Sequence, residues 1–278
     1  MPWELTGDVE VYAERAWPLL CRDPAANTVA LTVIEDLRRG RRFDGPSTFG
    51  WLEDGGGVQG AVSLNPPYEL QLAQAPIGSL PALADALRVR GIAVPGVNGD
   101  PELVHAFADA WTAGTDLPQR VAMRQWLYRL GTLVPPDPTP PGRARPARDD
   151  EAAALVAFLL AFQDEAGAHG TDPHAWVPAT MADGRLWVWE DADGALATLA
   201  GRSPTAARVA RIAPVYTPPE HRRRGYGAAV TAACAADALA RDADHVVLHT
   251  DRSNPTANGV YRRIGFDVIA ERDLIRFD

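Results

Sequence analysis

The most informative part of this sequence is Arg208–Gly227, which reads RVARIAPVYTPPEHRRRGYG. Its first residues alternate between apolar and polar side chains, which is the period-two pattern of a half-buried strand. The prolines that follow predict a turn, because proline fixes φ and lacks a backbone donor. The alanine-rich segment Ala228–Arg241 comes next and predicts a helix. We therefore expect a strand, a basic glycine-bearing turn and a helix, in that order.

The turn is chemically suited to a pyrophosphate group. Gly225 and Gly227 let the backbone approach a ligand closely, and free N–H groups at the start of the helix would point at it. Arg222–Arg224 stand at the positive end of the helix dipole, where cations are disfavoured, so a bound anion would reconcile their position. A surface turn of solvated arginines would give the same short pattern. The flanking elements are therefore needed to distinguish a phosphate-binding loop from such a turn.

The flanking elements strengthen the interpretation of this turn as a phosphate-binding loop. A second strand is predicted at His245–Thr250, and Asn254–Phe266 then reads NPTANGVYRRIGF. The pattern RxxGxG from Arg222 to Gly227, followed by this NxxxNxxYxxxGF segment, resembles the acyl-CoA binding part of the GNAT superfamily of N-acyltransferases. The longer string Tyr216–Arg222 is similar to a bacterial subgroup whose N-terminal half is a degenerate copy of the same fold.

The resemblance implies a fold class and a cofactor site. It implies an α/β (α+β) protein with tandem GNAT-like domains, each a mixed, mainly antiparallel sheet flanked by helices, the C-terminal one carrying acetyl-CoA. The strand before the loop is expected to splay from its neighbour, so that its backbone can pair with the pantetheine amides. The implied cofactor-binding residues are Val215, Tyr216, Thr217, Arg222, Arg223, Arg224, Gly225, Tyr226, Gly227, Ala228, Asn254 and Asn258.

Two kinds of catalytic group are needed. The resemblance places Tyr261 near the CoA sulfur, and a phenol can protonate the departing thiolate as a general acid. The acceptor ammonium must also lose a proton before its nitrogen attacks the thioester. Glu165 is the first candidate for this base, His169 and His174 are alternatives in the loop predicted at Gly167–Pro178, and ordered water would need no dedicated residue.

A proline-rich segment divides the chain into similar halves. Residues 135–142 contain five prolines, so neither a helix nor a sheet can run through them. A weak repeat places Trp51–Val58 over Val188–Ala195, each an aromatic strand ending in an acidic turn, as in a hairpin. We predict a degenerate GNAT-like domain at 1–134, a linker at 135–142 and a catalytic domain at 143–278. The catalytic domain should open with a helix capped by Asp149 or Asp150 and reaching Glu165.

Composition excludes several other classes of protein. The net charge of -9 would repel a phosphate backbone, so nucleic acid is not an expected partner. Cys21 and Cys234 have no metal-ligand spacing. His245 and His249 are predicted on one strand, where four residues span roughly 13 Å, too far to share a metal ion. No segment is apolar enough to span a bilayer, and we expect a cytoplasmic protein without a metal.

The sequence departs from the GNAT pattern in two respects. Arg223 stands where the family usually has glycine, and the N-terminal half has no second phosphate loop, which predicts one cofactor site per chain. We expect an acetyl-CoA-dependent N-acetyltransferase acting on a small-molecule or amino-acid-like primary amine. A CoA-binding regulatory module without turnover and a protein lysine or N-terminal acetyltransferase are the alternatives. The sequence does not distinguish a monomer from a homodimer.

Overall fold

A computed structural model describes residues 2–167 and 171–278. The strands are β1 Trp3–Thr6, β2 Thr48–Asp54, β3 Gly57–Leu64, β4 Leu70–Gln74, β5 Gly96–Gly99, β6 Gln119–Leu130, β7 Arg143–Pro146, β8 Leu186–Glu190, β9 Leu196–Arg202, β10 Val209–Tyr216, β11 His245–Asp251 and β12 Phe266–Phe277. The helices are α1 Val9–Leu20, α2 Thr28–Arg38, α3 Leu80–Val89, α4 Pro101–Thr112, α5 Ala152–Ala166, α6 Pro173–Ala182, α7 Tyr226–Arg241 and α8 Pro255–Arg263.

The chain forms two compact units whose limits differ from the predicted domain boundaries. The first unit contains residues up to Leu127 together with Asp251–Ser253 and Ile269–Asp278. The second contains Tyr128–Thr250 and Asn254–Val268. The last ten residues, which the sequence placed with the catalytic domain, therefore belong to the compact unit built mainly from the N-terminal half.

The first unit contains a mixed sheet with strand order β1-β2-β3-β4-β5-β12. Neighbouring strands are antiparallel except β4 and β5, which are parallel. Helices α3 and α4 bury Leu83, Leu87 and Phe107 in a core on one face. On the opposite face Tyr12 of α1 stacks on Phe49 of β2, with ring centroids 4.9 Å apart. Helices therefore cover both faces of this sheet.

The second unit repeats this arrangement with strand order β11-β10-β9-β8-β7. Strands β10 and β11 are parallel, and the other neighbours in this order are antiparallel. Leu186 and Val188 of β8 face the core formed with α5 and α6. Trp189, on the other face of β8, stacks on Tyr226 of α7 at 6.2 Å. The period-two alternation of this strand thus places α5 and α7 on opposite faces.

Both units therefore contain a hairpin, a third antiparallel strand, a helix, a parallel strand and a further helix, in that chain order. The predicted fold class, with mainly antiparallel sheets flanked by helices, is confirmed. Whether the N-terminal half is a degenerate copy stays a prediction.

Two local predictions in the second half were wrong. Much of the expected loop Gly167–Pro178 is helix α6, which begins at Pro173 because Asp172 caps it by accepting the N–H of His174 at 2.9 Å. The acidic pair does not cap α5 either. Asp149–Glu151 form a short 3-10 turn, and Glu151 instead accepts the N–H of Arg148 at 2.8 Å.

A glycine substitution tests the packing after α8. Gly265 has φ 99°, and a Cβ there would lie 1.9 Å from the carbonyl oxygen of Thr132. Gly194 has a similar φ of 84°, but a Cβ added there would meet nothing within 4 Å, so it isolates the strain of a positive φ. We expect Gly265→Ala to lower the free energy of unfolding by about 2 kcal/mol more than Gly194→Ala in urea titrations. Equal losses would show that this backbone contact is not tight.

Candidate active site

Strand β10 separates from β11 before either strand ends. The two pair in parallel only over Val209–Arg211 and His245–Val247. Beyond Arg211, β10 keeps its pairing with β9 on the other side, through Val215 and Tyr216. A register shift between Ile212 and Val215 accompanies this divergence. Within the described chain, the backbone edge of β10 that faces β11 therefore has no strand partner near Val215.

The end of β10 is fixed by a residue that the sequence analysis missed. Thr198 of β9 is buried, and its hydroxyl donates to the carbonyl oxygen of Tyr216 at 2.6 Å. The same hydroxyl lies 2.8 Å from the hydroxyl of Thr217. An isolated threonine in a strand carries no sequence signal for such a role, because its partners lie 18 and 19 residues away.

The turn after β10 leads directly to the start of α7. Gly225 adopts a left-handed conformation with φ 84° and begins the helix without a side-chain cap. The first intrahelical hydrogen bond runs from the N–H of Ala229 to the oxygen of Gly225. The N–H groups of Tyr226, Gly227 and Ala228 therefore have no acceptor within the helix. This is the donor set that the sequence predicted for an anion.

The three arginines of the turn have different environments. Arg222 donates from Nε to the carbonyl oxygen of Thr217 at 2.9 Å and from Nη2 to Glu165 at 2.5 Å. Arg223 and Arg224 are exposed and make no ion pair within the part of the chain that the structure describes. Arg223 has φ 63°, which explains why glycine suits this position.

Glu165 lies in the last turn of α5 and is held at both oxygens. Tyr216 donates its hydroxyl to Oε1 at 2.7 Å, while Arg222 binds Oε2. The hydrogen bond from Tyr216 and the Arg222 guanidinium lower the pKa of this carboxyl. Burial, followed by the nearby carboxylate, raises the pKa of Tyr216. In this arrangement Glu165 is an ion-pair partner, and each of its oxygens accepts one hydrogen bond.

Helix α8 presents the remaining predicted residues. Asn254 caps it by accepting the N–H of Ala257 at 3.0 Å. Asn258 is buried, where its Oδ1 accepts the hydroxyl of Tyr128 at 3.2 Å and its Nδ2 donates to the oxygen of Asn254 at 2.8 Å. The amide of Asn258 thus contributes to holding the start of α8.

Tyr261 lies one turn further along α8 with its side chain half-buried. Its ring packs against those of Tyr128 and Phe266, with centroids 6.4 and 6.1 Å away. Burial raises the pKa of Tyr261 to about 12. Within the described residues its hydroxyl has no hydrogen-bond partner. The phenol therefore remains protonated at neutral pH and is available as a donor.

The other candidate bases are less well defined. His174 is exposed in the first turn of α6. His169 lies outside the described residues. Within residues 2–167 and 171–278 no three His, Cys, Asp or Glu side chains are grouped as metal ligands. In the same ranges no helix has the length and apolar character needed to cross a bilayer.

Comparison with known proteins shows that this chain is similar to acetyltransferases. Residues 149–266 match the acetyltransferase (GNAT) family. A mycothiol acetyltransferase of Salinispora arenicola is 32% identical over 235 residues, covering 76% of this chain and 70% of that protein. A GCN5-related N-acetyltransferase from Sphaerobacter thermophilus has a TM-score of 0.63 at 18% identity, with 99% of this chain and 95% of that chain covered.

A tandem GNAT protein from the clavulanic acid biosynthesis pathway has a TM-score of 0.57 at 16% identity, with 98% of this chain and 97% of that chain covered. At these identities the solved structures show a shared fold, while the Salinispora relative shows the family. The resemblance read from the loop and from α8 is thereby confirmed. This chain belongs to the GNAT family of acetyltransferases and is an N-acetyltransferase enzyme.

Proposed function

We propose that this enzyme transfers an acetyl group from acetyl-CoA to the primary amine of a small or amino-acid-like metabolite, with the reaction centred between β10 and α8. GNAT acetyltransferases use acetyl-CoA. The observation that carries the proposal is the early separation of β10 from β11, directly before the uncapped N-terminus of α7. Along one segment, a strand edge without a strand partner is thus followed by a helix start that can bind an anion. Acetyl-CoA has a matching order of groups, because its pantetheine chain is joined to a diphosphate.

Different groups of residues would bind different parts of acetyl-CoA. The backbone of Val215, Tyr216 and Thr217 would pair with the pantetheine amides. The N–H groups from Gly225 to Ala228 would bind the diphosphate, and Arg222, Arg223 and Arg224 would supply charge. Asn254, exposed at the start of α8, would contact the cofactor, with Asn258 supporting that turn.

The chemical step requires one bond to form and one to break. The neutral amine attacks the thioester carbonyl carbon, having given its proton to Glu165 or to water. The carbon–sulfur bond then breaks while Tyr261, the proposed general acid, donates a hydrogen bond to the sulfur on which negative charge develops, and the nitrogen, which is positively charged after the attack, loses its second proton to water and becomes the amide. A free thiol ordinarily has a pKa near ~8.5, so a phenol with a raised pKa is a weak acid toward it. Tyr261 therefore acts by hydrogen-bonding the sulfur while the bond breaks.

The lowered pKa of Glu165 limits its part as a base. Each of its oxygens accepts a hydrogen bond, from Tyr216 or from Arg222, and both contacts favour the ionised carboxylate over the protonated one. Loss of the amine proton through water does not depend on this carboxylate. His174 and His169 remain predictions as alternative bases.

Thiol release measured against an amine panel tests the proposed function. Purified protein should bind acetyl-CoA in a calorimetric titration and release free CoA thiol at a rate that rises with the concentration of a small primary amine. The panel should include deacetylated mycothiol, because the relatives are mycothiol acetyltransferases, and also a lysine-containing peptide. Binding without amine-stimulated release would identify a regulatory module, and preference for the peptide would identify a protein acetyltransferase.

Tyr261→Phe tests the general acid. We expect kcat to fall by about 10²-fold with little change in KM for acetyl-CoA, since the lost hydrogen bond forms only as sulfur becomes charged. Because the pKa of Tyr261 is raised to about 12, its proton is retained up to high pH, and wild-type kcat should not fall between pH 7 and pH 9 through ionisation of this group. Tyr128→Phe, which keeps the neighbouring ring and removes only its hydroxyl and the hydrogen bond to Asn258, is the control. Equal effects of the two variants would contradict the assignment.

The Arg223→Gly variant distinguishes the effect of backbone strain on stability from the effect of charge on cofactor affinity. Glycine accepts the positive φ without strain, so the free energy of unfolding should rise by about 1 kcal/mol, while affinity for acetyl-CoA should fall because one cation is lost. Arg224→Gly is the matched control, because it removes the same charge from a residue without a positive φ and should lower stability. Unchanged cofactor affinity in both variants would rule out their proposed role at the diphosphate.

A further inference from the structure

The ion pair between Glu165 and Arg222 joins two charges that each occupy an unfavourable helix end. Glu165 lies in the last turn of α5, where the helix dipole disfavours a carboxylate. Arg222 lies just before the first turn of α7, where the dipole disfavours a cation. Their contact at 2.5 Å offsets both penalties. The pair links the end of α5 to the turn that is proposed to bind the diphosphate.

The pair is accessible to a competing ligand. The Arg222 side chain is 43% exposed and that of Glu165 is 45% exposed, so water and small ions can reach both. Exposed pairs of this kind are weak, because solvent screens them. A diphosphate at the start of α7 would carry more charge than one carboxylate and would be a stronger partner for a guanidinium. The Nε of Arg222 would still be held by the oxygen of Thr217, which keeps the side chain in the turn.

We propose that Arg222 is exchanged between Glu165 and the diphosphate of acyl-CoA, so that cofactor binding releases the Glu165 carboxylate to bind the ammonium group of the acceptor. Glu165 is on this view a positioning residue that acts on the cofactor through Arg222. Its Oε1 continues to accept from Tyr216, whose ring is held by Phe158 and Phe162 at 6.1 and 6.2 Å. The carboxylate therefore stays in place while its second oxygen becomes available.

The inference rests on the proposed function and predicts that removal of the Glu165 carboxylate strengthens the binding of CoA. If Glu165 competes with the cofactor for Arg222, Glu165→Gln should tighten the binding of CoA by about two- to fivefold, the range expected for an exposed ion pair. The same variant should raise KM for the amine, because the carboxylate that receives the ammonium is gone. A residue that merely braced the helix would, when changed, weaken both.

Three controls isolate the exchange. Asp164→Asn removes an adjacent, exposed carboxylate that has no partner among the described residues, and should leave CoA affinity unchanged. In an Arg222→Ala background, Glu165→Gln should no longer tighten CoA binding, so a double-mutant cycle should be non-additive. With S-acetylpantetheine, which lacks the diphosphate, Glu165→Gln should not lower the donor KM.

The calorimetric titrations and the steady-state kinetics give separable outcomes. If wild-type protein fails to bind CoA, the proposed function itself is wrong. If it binds CoA and acetylates amines, the exchange is overturned by a Glu165→Gln variant that binds CoA no more tightly than Asp164→Asn, or whose tightening persists without Arg222. An unchanged amine KM in Glu165→Gln would overturn the role of the released carboxylate.

Discussion

The geometry of the candidate site depends on where the hydrogen bonding between β10 and β11 stops. Only Val209–Arg211 are paired with β11, although β10 continues to Tyr216. The rest of the strand is held from one side, by β9 and by the hydroxyl of Thr198. The other edge of β10 beyond Arg211 has no strand partner among the described residues. This edge leads along the chain to the turn before α7.

The charged residues around the end of β10 and the start of α7 occupy unfavourable helix ends. Arginines precede α7 at its positive end, and a carboxylate stands in the last turn of α5 at its negative end. Each arrangement would be unfavourable in an isolated helix. In the folded unit Glu165 and Arg222 neutralise each other, while Arg223 and Arg224 remain exposed. The site therefore holds positive charge that the protein itself only partly compensates.

Helix α8 contributes a group of a different kind. Its start is fixed by Asn254 and by the buried amide of Asn258, which Tyr128 orients. The raised pKa of Tyr261 on the next turn comes from burial alone. Tyr261 is therefore a phenol in a partly buried aromatic environment, whereas the turn before α7 carries exposed charge.

The sequence determined the local features of this protein, and the tertiary structure decided the long-range ones. Prolines and glycines specify backbone angles within a few residues, so the turn after β10 and the helix that follows it are predicted from the chain itself, although α7 begins at Tyr226 and not at the predicted Ala228. The same local chemistry, together with the motif in α8, was enough for the family. The sequence predicted a loop in place of α6 because this segment contains glycine, histidine and proline, although a proline such as Pro173 is also favourable in a first helical turn.

The partners of the site residues could not be predicted in this way. Arg222 meets Glu165 across 57 residues, and Tyr128 meets Asn258 across 130. Residues 269–278 join the unit formed mainly by the N-terminal half, where Asp273–Arg276 pair with β5. Such contacts depend on strand order and on which face each helix covers, and neither is encoded in the neighbouring residues. The sequence therefore specified the chemical groups of the site, and only folding determined which of them engage one another.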